Sequence, residues 1–473
     1  MNELVISLDS GSREPLYEQI YNHIKKEIQE RQMAPGERLP SSRMLSRYLQ
    51  ISRSTVDLAY GQLLSEGYIE SIPCKGYYVC QIEELCQLGF TDFASVPGRQ
   101  GTREKTGQQK YRYDFALNGI DPEGFPQNTW RKISKMVLQE NNASLFALGN
   151  PQGEEGLREA IANYLHHARG VRCAPEQIIV GAGNDYLLML LHVIWGKKKK
   201  IAMEQHTYKS AFQCFENLGD EICHVGMDAQ GIRVEELLET GVDIAYVMPS
   251  HQFPTGVIMP LQRRMQLLSW AAQEENRYII EDDYDSEFRY RGKPIPALQG
   301  FDTMSRVIYL GTFSKSLAPS IRISYMVLPW SLTEQYQKRG SNFSATVSRV
   351  DQKMIEIFLR DGHFERHLNK MRGVYKGKHD LMLSCLREME PVCRVYGENA
   401  GLHLQVRFAD EQKAARAKKL AAQEGIRVYE MNDYSIANDS KTGRDSLLLG
   451  YAALTETEIV NAMESLKKSW KNL

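Results

Sequence analysis

Helical spacing of apolar residues appears twice in the first fifty positions. Residues 15–32 carry an apolar side chain at every fourth position, which predicts a first helix that ends before Pro35 and Gly36. Those positions are Leu16, Ile20, Ile24 and Ile28. Residues 39–50 predict a short second helix with Ser41 or Ser42 as its N-cap. Its expected apolar face is Met44, Leu45, Tyr48 and Leu49.

A third helical pattern and an alternating pattern follow. Residues 52–67 predict a helix that closes on Gly67. Its inward positions are Val56, Ala59, Tyr60, Leu63 and Leu64. Residues 68–79 then alternate apolar and polar side chains around Lys75 and Gly76, which is typical of a β-hairpin. The predicted order is helix, helix, helix, hairpin.

The start of the third predicted helix carries groups that suit DNA. A helix that reads the major groove needs hydrogen-bond donors in its first turn, and Ser52, Arg53 and Thr55 supply them. Arg43 and Lys75 can contact the flanking phosphates, which fixes the register without reading sequence. Each of these residues can also be an ordinary capping or solvated residue. The ordered set favours DNA contact.

From about residue 113 onward, short apolar runs alternate with helical patterns. The apolar run at 178–183 precedes a helical stretch at 184–195. Similar apolar runs end at the acidic residues that include Asp282, and shortly before Lys315. Such alternation predicts an α/β domain with a mainly parallel sheet, whose ligands bind at the carboxyl ends of the strands. Residues 81–112 are polar and aperiodic in their later half and are predicted to be a linker.

Lys315 directly follows one of these apolar runs. Lysines are seldom buried without a partner, so the side chain either reaches solvent along its stem or holds a ligand. Nearby Thr312, Ser314 and Arg322 could bind a phosphate. A lysine beside a phosphate site suggests a Schiff base with an aldehyde cofactor, because desolvation makes the amine nucleophilic.

Acidic residues end another apolar run, where Asp282 and Asp283 are followed by Tyr284. An electron-accepting pyridine ring needs an acidic partner for its nitrogen. The same cluster could instead hold a metal ion. A glycine-containing turn at 181–185 opens a helix whose free amides suit an anion, although such turns are common.

Composition and charge set the remaining limits. With 473 residues, 42% hydrophobic and 25% charged, the chain is expected to form two or more domains. No run is long and apolar enough for a membrane span and the first residues lack a secretion-signal pattern, which predicts a cytoplasmic protein. The net charge is -1, so DNA binding must depend on where the bases lie. The eight cysteines are scattered, and we expect no metal site.

Residues 39–79, LPSSRMLSRYLQISRSTVDLAYGQLLSEGYIESIPCKGYYV, closely resemble the DNA-binding domain of the GntR family. The likeness lies in the LPS-R segment, the SR-TV turn, the L-EGYI exit and the glycine-tipped wing. It implies an N-terminal α+β winged helix-turn-helix over residues 1–80. Dimeric binding to half-sites of a double-stranded DNA operator is implied as well.

Motifs of the second half resemble those of fold-type I pyridoxal-phosphate enzymes. They include NPQGEEGLREAIANYL (150–165), PSHQFPTG (249–256), EDDYDSEF and GTFSKSLAPSIRISY (311–325). Together with the N-terminal segment they resemble the MocR/GabR subfamily of GntR regulators. The resemblance implies an α/β transferase-like domain over 113–473, with a smaller C-terminal α+β subdomain from about residue 360. It also implies a homodimer.

The resemblance further implies pyridoxal 5'-phosphate as the cofactor and assigns roles by motif position. Lys315 would form the internal aldimine, Asp282 would pair with the pyridinium nitrogen, and Tyr284 would hydrogen-bond the ring hydroxyl. Tyr208 would stack on the ring. The residues assigned to the phosphate are Gly183, Asn184, Thr312 and Arg322.

Three positions depart from ordinary aminotransferases. Leu448 stands where relatives commonly carry the arginine that holds a substrate carboxylate, and Ser210 stands where members sensing γ-aminobutyrate carry another arginine. Arg444 or Lys209 could substitute. Phe253 replaces the asparagine that usually precedes Pro-Thr-Gly, which is typical of this regulator subfamily.

The expected function is a transcription regulator whose second domain senses pyridoxal phosphate, alone or as an aldimine with an amine or amino acid. One alternative is a working aminotransferase that also binds DNA, because Lys315 and Asp282 are retained. A third is a DNA-binding protein whose enzyme-like domain only dimerises. The joint retention of Lys315, Asp282, Tyr284 and Arg322 argues against it.

Overall fold

The computed structural model describes residues 6–9, 11–12, 14–81, 111–139, 143–290, 292, 295–437, 442–471 and 473. Most of the predicted linker, together with Cys86, lies outside the described residues. The chain divides into two compact units, residues 1–108 and 109–473.

The described part of the first unit consists of helices followed by an antiparallel hairpin, in the predicted order. Its elements are α1 (Leu16–Gln29), α2 (Ser42–Tyr48), α3 (Arg53–Ser65), β1 (Ile69–Ile72) and β2 (Gly76–Val79). The apolar stripes of α1 and α3 form most of its core, and Ile20, Ile24 and Val56 are fully buried there. The hairpin pairs Ile72 with Gly76, so Lys75 lies at its tip.

Two details of this unit differ from the sequence-based expectation. The first helix ends at Gln29 rather than near residue 32, because Arg31 adopts a left-handed conformation with φ 58°. The expected apolar face of α2 is also narrower. Leu45 is buried, whereas Met44 and Tyr48 are 54% and 58% exposed. Met44 and Leu45 are adjacent in sequence, so their side chains point about 100° apart around the helix axis. In this seven-residue helix only the row of side chains that contains Leu45 faces the core.

The second unit is built around a seven-stranded sheet with strand order β4-β12-β11-β10-β9-β5-β6. Strand β12 runs antiparallel to both neighbours, and the other pairs are parallel, which confirms the predicted mainly parallel sheet. Its strands are β4 (Ile178–Gly181), β5 (Lys200–Glu204), β6 (Glu221–Val225), β9 (Ile244–Val247), β10 (Tyr278–Asp283), β11 (Val307–Thr312) and β12 (Ser324–Val327).

Helices and short strands surround this sheet. The helices are α4 (Gln127–Gln139), α5 (Glu155–Arg169), α6 (Asn184–Trp195), α7 (Lys209–Leu218), α8 (Val234–Thr240), α9 (Leu261–Ala272), α10 (Trp330–Arg339) and α11 (Arg349–Arg360). The short strands are β3 (Tyr113–Asp114), β7 (Met227–Asp228) and β8 (Gly231–Ile232). Strands β4, β9 and β10 are buried on both faces, which is why they read as nearly continuous apolar runs in the sequence.

The C-terminal part of the unit forms a second, antiparallel sheet of order β13-β14-β17-β16. Its elements, with the helices around it, are α12 (His363–Arg387), β13 (Arg394–Tyr396), β14 (His403–Arg407), α13 (Glu411–Gln423), β15 (Ile426–Arg427), β16 (Tyr429–Glu430), β17 (Ser446–Gly450) and α14 (Glu456–Trp470). A separate apolar core joins this sheet to the helices. Strand β3 pairs with β15, so the first described residues of the unit pack with its C-terminal part.

The register of the large sheet gathers three chain segments at one edge. Asp283 at the end of β10 is opposite Gly311 near the end of β11, while Ser324 of β12 is opposite both Thr312 and Gly181. The turn after β4, the end of β10 and the end of β11 therefore open onto the same edge. Among the described helices, none is long and apolar enough to cross a membrane.

Candidate functional site

A cavity of about 250 Å³ opens at this edge of the large sheet. All eight residues assigned to the cofactor lie at it, since seven line it and Gly183 is in contact with one of the seven. The lining residues are Asn118, Asn184, Asp185, Tyr208, Met248, Phe253, Asp282, Tyr284, Thr312, Ser314, Lys315, Pro319, Arg322 and Ser324. The structure thus brings together residues that are up to 206 positions apart, from Asn118 to Ser324.

The Lys315 amine lies inside this cavity and donates a hydrogen bond of 2.8 Å to the main-chain oxygen of Leu117. The side chain is only partly exposed. Burial lowers the pKa of the amine to about 8, against the opposing charge of Asp285. A substantial fraction is therefore unprotonated at mildly alkaline pH, which is the nucleophilic form.

Asp282 presents a buried carboxylate to the same cavity. The side-chain amide of Asn184 donates to one carboxylate oxygen at 3.4 Å, and the Tyr246 hydroxyl donates to the other. Burial raises the pKa of Asp282 to about 6, and the bond from Tyr246 opposes that rise. The group is therefore mostly ionised at neutral pH and can hold a proton on a ring nitrogen.

The neighbouring Asp283 is engaged elsewhere. It accepts a hydrogen bond of 2.8 Å from Arg169 and one of 2.6 Å from the Tyr309 hydroxyl, in a site where all three side chains are buried. Within the described ranges, no group of three or more His, Cys, Asp or Glu side chains is placed to hold a metal ion. Of the two aspartates at the end of β10, only Asp282 lines the cavity.

The N-terminus of α6, together with Gly183 and Arg322, forms a candidate anion pocket. Gly183 is the N-cap residue, with φ 97° and ψ 167°, and the first amides of a helix lack partners within it. A Cβ atom on Gly183 would lie 2.3 Å from Nη2 of Arg322, so the guanidinium packs directly on this glycine. Arg322 also approaches Asp185 at 3.3 Å. Oγ1 of Thr312 accepts from the Ser314 amide at 3.1 Å.

Aromatic side chains form another wall of the cavity. The ring of Phe253 meets that of Tyr208 edge to face at 6.2 Å and that of Tyr284 at 5.7 Å. Tyr434 packs edge to face on Phe253 at 5.0 Å. A flat aromatic ligand next to Tyr208 would therefore contact apolar ring surfaces.

Sequence reasoning missed three residues that hold the site in place. Tyr246 bonds Asp282, while His251 bonds both Asp285 and the Tyr284 hydroxyl. Tyr246 lies within an apolar run, where a tyrosine reads as an ordinary core residue. His251 falls inside the PSHQFPTG motif and Asp285 inside EDDYDSEF, so the motifs contained the signal although neither residue was assigned a role.

The structure also shows what stands at the positions expected to hold a carboxylate. Leu448 is fully buried in β17, and Ser210 is exposed on the first turn of α7. Arg444 pairs with Glu411 at 3.2 Å, and Lys209 donates to a main-chain oxygen at 3.4 Å. Neither of these cations is among the described residues that line the cavity.

The five candidate DNA contacts all lie on the first unit. Ser52 is the N-cap of α3 and accepts a bond of 3.2 Å from the Thr55 amide, so one of its roles is structural. Arg53 is exposed and 3.4 Å from Asp57. Arg43 is exposed in the first turn of α2, and Lys75 is exposed at the hairpin tip.

The cavity fits pyridoxal phosphate by the chemistry of its donors. An amine with a lowered pKa, an ionisable carboxylate, a phenol and an anion pocket are what the aldehyde, ring nitrogen, ring hydroxyl and phosphate of this cofactor require. Arg322 approaches Gly183 so closely that any larger residue at position 183 would displace the guanidinium.

Comparison with known proteins agrees with both halves of the chain. Residues 121–466 match the family described as Aminotransferase class I and II, and residues 16–79 match Bacterial regulatory proteins, gntR family. A crystal structure of a kynurenine aminotransferase from Pyrococcus horikoshii superposes with a TM-score of 0.68 at 25% identity, covering 78% of this chain and 92% of that one. The predicted fold of both domains is thus confirmed.

Two relatives match over nearly the whole length. The uncharacterized HTH-type transcriptional regulator YhdI of Bacillus subtilis is 39% identical over 470 residues, which cover 98% of each chain. The probable rhizopine catabolism regulatory protein MocR of Rhizobium meliloti is 29% identical over 476 residues, covering 98% of this chain and 96% of the relative. The chain therefore belongs to the MocR-type transcription regulators, in which a GntR winged helix-turn-helix precedes a domain of the aminotransferase class I and II family.

Proposed function

We propose that this DNA-binding regulator holds pyridoxal 5'-phosphate on Lys315 and responds to the cofactor, alone or joined to an amine or amino acid. The observation that carries the proposal is one cavity in which the Lys315 amine, the Asp282 carboxylate and the Arg322 guanidinium all lie. Asp282 lies at the end of β10, whereas Lys315 and Arg322 lie on the connection between β11 and β12, and each group matches a different part of the cofactor.

Pyridoxal phosphate, when bound, supplies an aldehyde that combines with amines and a ring that withdraws electrons. Lys315 would provide the amine that attaches it, and Asp282 would keep a proton on the ring nitrogen. Tyr284 would hydrogen-bond the ring hydroxyl, and Tyr208 would cover one ring face. The phosphate would be held by Gly183, Asn184, Thr312 and Arg322.

Leu448 stands where relatives carry the arginine that holds a substrate carboxylate, and this neutral residue favours sensing over rapid turnover. Leu448 is fully buried and has no polar atom to offer, while the cavity cation Arg322 lies at the anion pocket. Orientation of the substrate supplies much of an enzyme's rate, so a site without a carboxylate-binding cation turns amino acids over slowly. An amine without an α-carboxylate, or the cofactor itself, suits such a site better.

The GntR domain implies binding to double-stranded DNA. We infer that Arg43, Ser52, Arg53, Thr55 and Lys75 make the contacts, and that the protein acts as a homodimer on paired half-sites. Coupling then requires that the effector binds the DNA-competent and DNA-free arrangements with different affinity.

The test is the visible absorption spectrum of the purified protein titrated with pyridoxal phosphate and then with a panel of amines and amino acids. Lys315→Ala is compared with Lys209→Ala, which removes an exposed lysine near the site. A band in wild type and Lys209→Ala but not in Lys315→Ala supports the proposal. A band that a given amine shifts without release of a keto acid identifies a sensed effector.

Three other results would contradict the proposed function. Steady release of a keto acid by wild type but not by Lys315→Ala would make the protein an aminotransferase that also binds DNA. Absence of any band in wild type would refute the site. Failure of the protein to retard DNA from upstream of its own or a neighbouring gene would refute the regulatory role.

A further inference from the structure

His251, Asp285 and Tyr284 form one hydrogen-bonded chain beside the cavity. Nδ1 of His251 lies 2.9 Å from the Tyr284 hydroxyl and 3.0 Å from each carboxylate oxygen of Asp285. His251 and Asp285 are each only 2% exposed, whereas Tyr284 lines the cavity. Nδ1 of His251 therefore contacts both a buried carboxylate and the phenol that faces the cavity.

The network assigns the position of the histidine proton. A carboxylate can only accept hydrogen bonds, so a proton on Nδ1 satisfies Asp285, whereas a lone pair there would face its negative charge. Nε2 of His251 is buried and has no hydrogen-bond partner among the residues that the structure describes. A proton on Nε2 would thus be a buried unpaired donor, which is costly. The proton of the His251 ring therefore lies on Nδ1.

The backbone holds the His251 ring in this position. A Cβ atom on Gly401 would come 2.0 Å from Cε1 of the ring, and one on Gly256 would come 3.4 Å from Nε2. The neighbouring His403, whose ring lies 5.6 Å away, makes its own bond of 2.8 Å to the Pro254 oxygen. Burial lowers the pKa of His403 to about 4, so His403 remains neutral near pH 7.

We propose that Asp285 and His251 are positioning residues that direct the Tyr284 hydroxyl, as a donor, into the cavity. The proton on Nδ1 is shared between Asp285 and the phenol oxygen, so the phenol accepts from His251, and an acceptor in the cavity competes with the neighbouring Asp285 carboxylate for the phenol's own proton. The inference rests on the proposed function, because that acceptor is the hydroxyl oxygen of the cofactor ring.

Two further observations agree with this direction. The ionisable and charged groups facing the chain are Asp282, Asp283, Asp285, Lys315 and His403. Burial, then the charges of Asp285 and Asp282, raise the pKa of the Tyr284 phenol well above its usual value, so it keeps its proton. Phe253 stands where aminotransferases usually carry asparagine, and its side chain has no polar atom. Because Phe253 cannot donate a hydrogen bond to the ring hydroxyl, the orientation of the Tyr284 hydroxyl matters more.

The experiment follows the visible band of the cofactor-loaded protein as a function of pH. Tyr284→Phe and His251→Gln are expected to move the midpoint of the titration in the same direction, by about half a pH unit or more, as the loss of one hydrogen bond predicts. His251→Asn should restore most of the wild-type midpoint, because the asparagine amide occupies the place of Nδ1, whereas glutamine reaches the place of Nε2. Asp285 is not substituted, because its charge also acts directly on Lys315.

The double variant Tyr284→Phe/His251→Gln tests whether His251 acts through the phenol. Its midpoint should equal that of Tyr284→Phe alone, whereas additive shifts, or an unmoved midpoint in His251→Gln, would overturn the inference. If His251→Gln lowers the urea midpoint of unfolding without moving the midpoint of the band titration, His251 has only a structural role and the inference is overturned. Should His251→Gln not fold, the ¹⁵N shifts of the His251 ring in the unaltered protein decide the tautomer, and a proton on Nε2 overturns the proposal. A wild type without any band refutes the proposed function, and this inference with it.

Discussion

Gly183→Ala tests the anion pocket most directly. The added Cβ would lie 2.3 Å from Nη2 and 2.7 Å from Cζ of Arg322, so the guanidinium must move. The backbone at φ 97° and ψ 167° lies in a region that essentially only glycine adopts, which costs about 1–3 kcal/mol of folding stability for alanine. Displacing Arg322 removes a charge-assisted hydrogen bond worth about 1.5–3 kcal/mol to a bound phosphate, equivalent to about a tenfold to hundredfold loss of affinity.

The control is Gly241→Ala, which places an alanine in the milder left-handed α region without the clash. Gly241 ends α8 at φ 60° and ψ 36°, and nothing lies within 4 Å of an added Cβ. Both variants should lower the urea midpoint of unfolding, but only Gly183→Ala should weaken the binding of pyridoxal phosphate in an absorbance titration. Equal cofactor affinity in the two variants would mean that Arg322 and Gly183 do not hold the phosphate.

Three other predictions concern separate parts of the chain. Because the pKa of Lys315 is about 8, the rate at which the cofactor band forms should rise about tenfold per pH unit below 8 and level off above it, as stopped-flow absorbance would show. Glu204 is 1% exposed, and burial raises its pKa to about 7. As the pH rises from about 4.5 to 7, Glu204 ionises in the unfolded chain before it ionises in the folded chain, so the wild type loses stability. The gain in the urea midpoint of unfolding from Glu204→Gln should therefore be absent near pH 4.5 and largest above pH 7. Lys75→Ala should weaken binding to all DNA sequences by a similar factor and reduce the salt slope by about one, whereas Lys26→Ala on α1 should leave both unchanged.

The sequence was sufficient for the fold and for seven of the residues that line the cavity. Strands buried on both faces read as continuous apolar runs, and parallel strands necessarily bring their carboxyl ends to one edge, so Asp282 and Lys315 could be expected there together. The order of helices and hairpin in the first unit followed from spacing alone. The width of an apolar face did not, as Met44 shows, because the number of rows that a short helix buries depends on what packs against it.

Residues that act through another side chain were beyond this reasoning. Tyr246 occupies a strand position at which an apolar residue would fit the pattern equally well, and only the folded chain brings its hydroxyl to Asp282. The partner of Asp283 is Arg169, which is 114 positions away on a helix that carries other basic residues. Pairings of this kind depend on tertiary geometry, which neither spacing nor composition encodes.

The cavity is joined mechanically to the C-terminal part of its unit through the segment that carries Tyr208. The Thr207 amide donates to the main-chain oxygen of Tyr434 at 3.1 Å, and the Ile436 amide donates to that of Gln205 at 3.0 Å. The ring of Tyr434 also packs on Phe253 at the cavity wall. A ligand that shifts Tyr208 must therefore either break these backbone bonds or carry residues 434–436 with it. Because such bonds are costly to leave unmade when buried, the second course is favoured, and the C-terminal segment is the part of this unit best placed to respond to what the cavity holds.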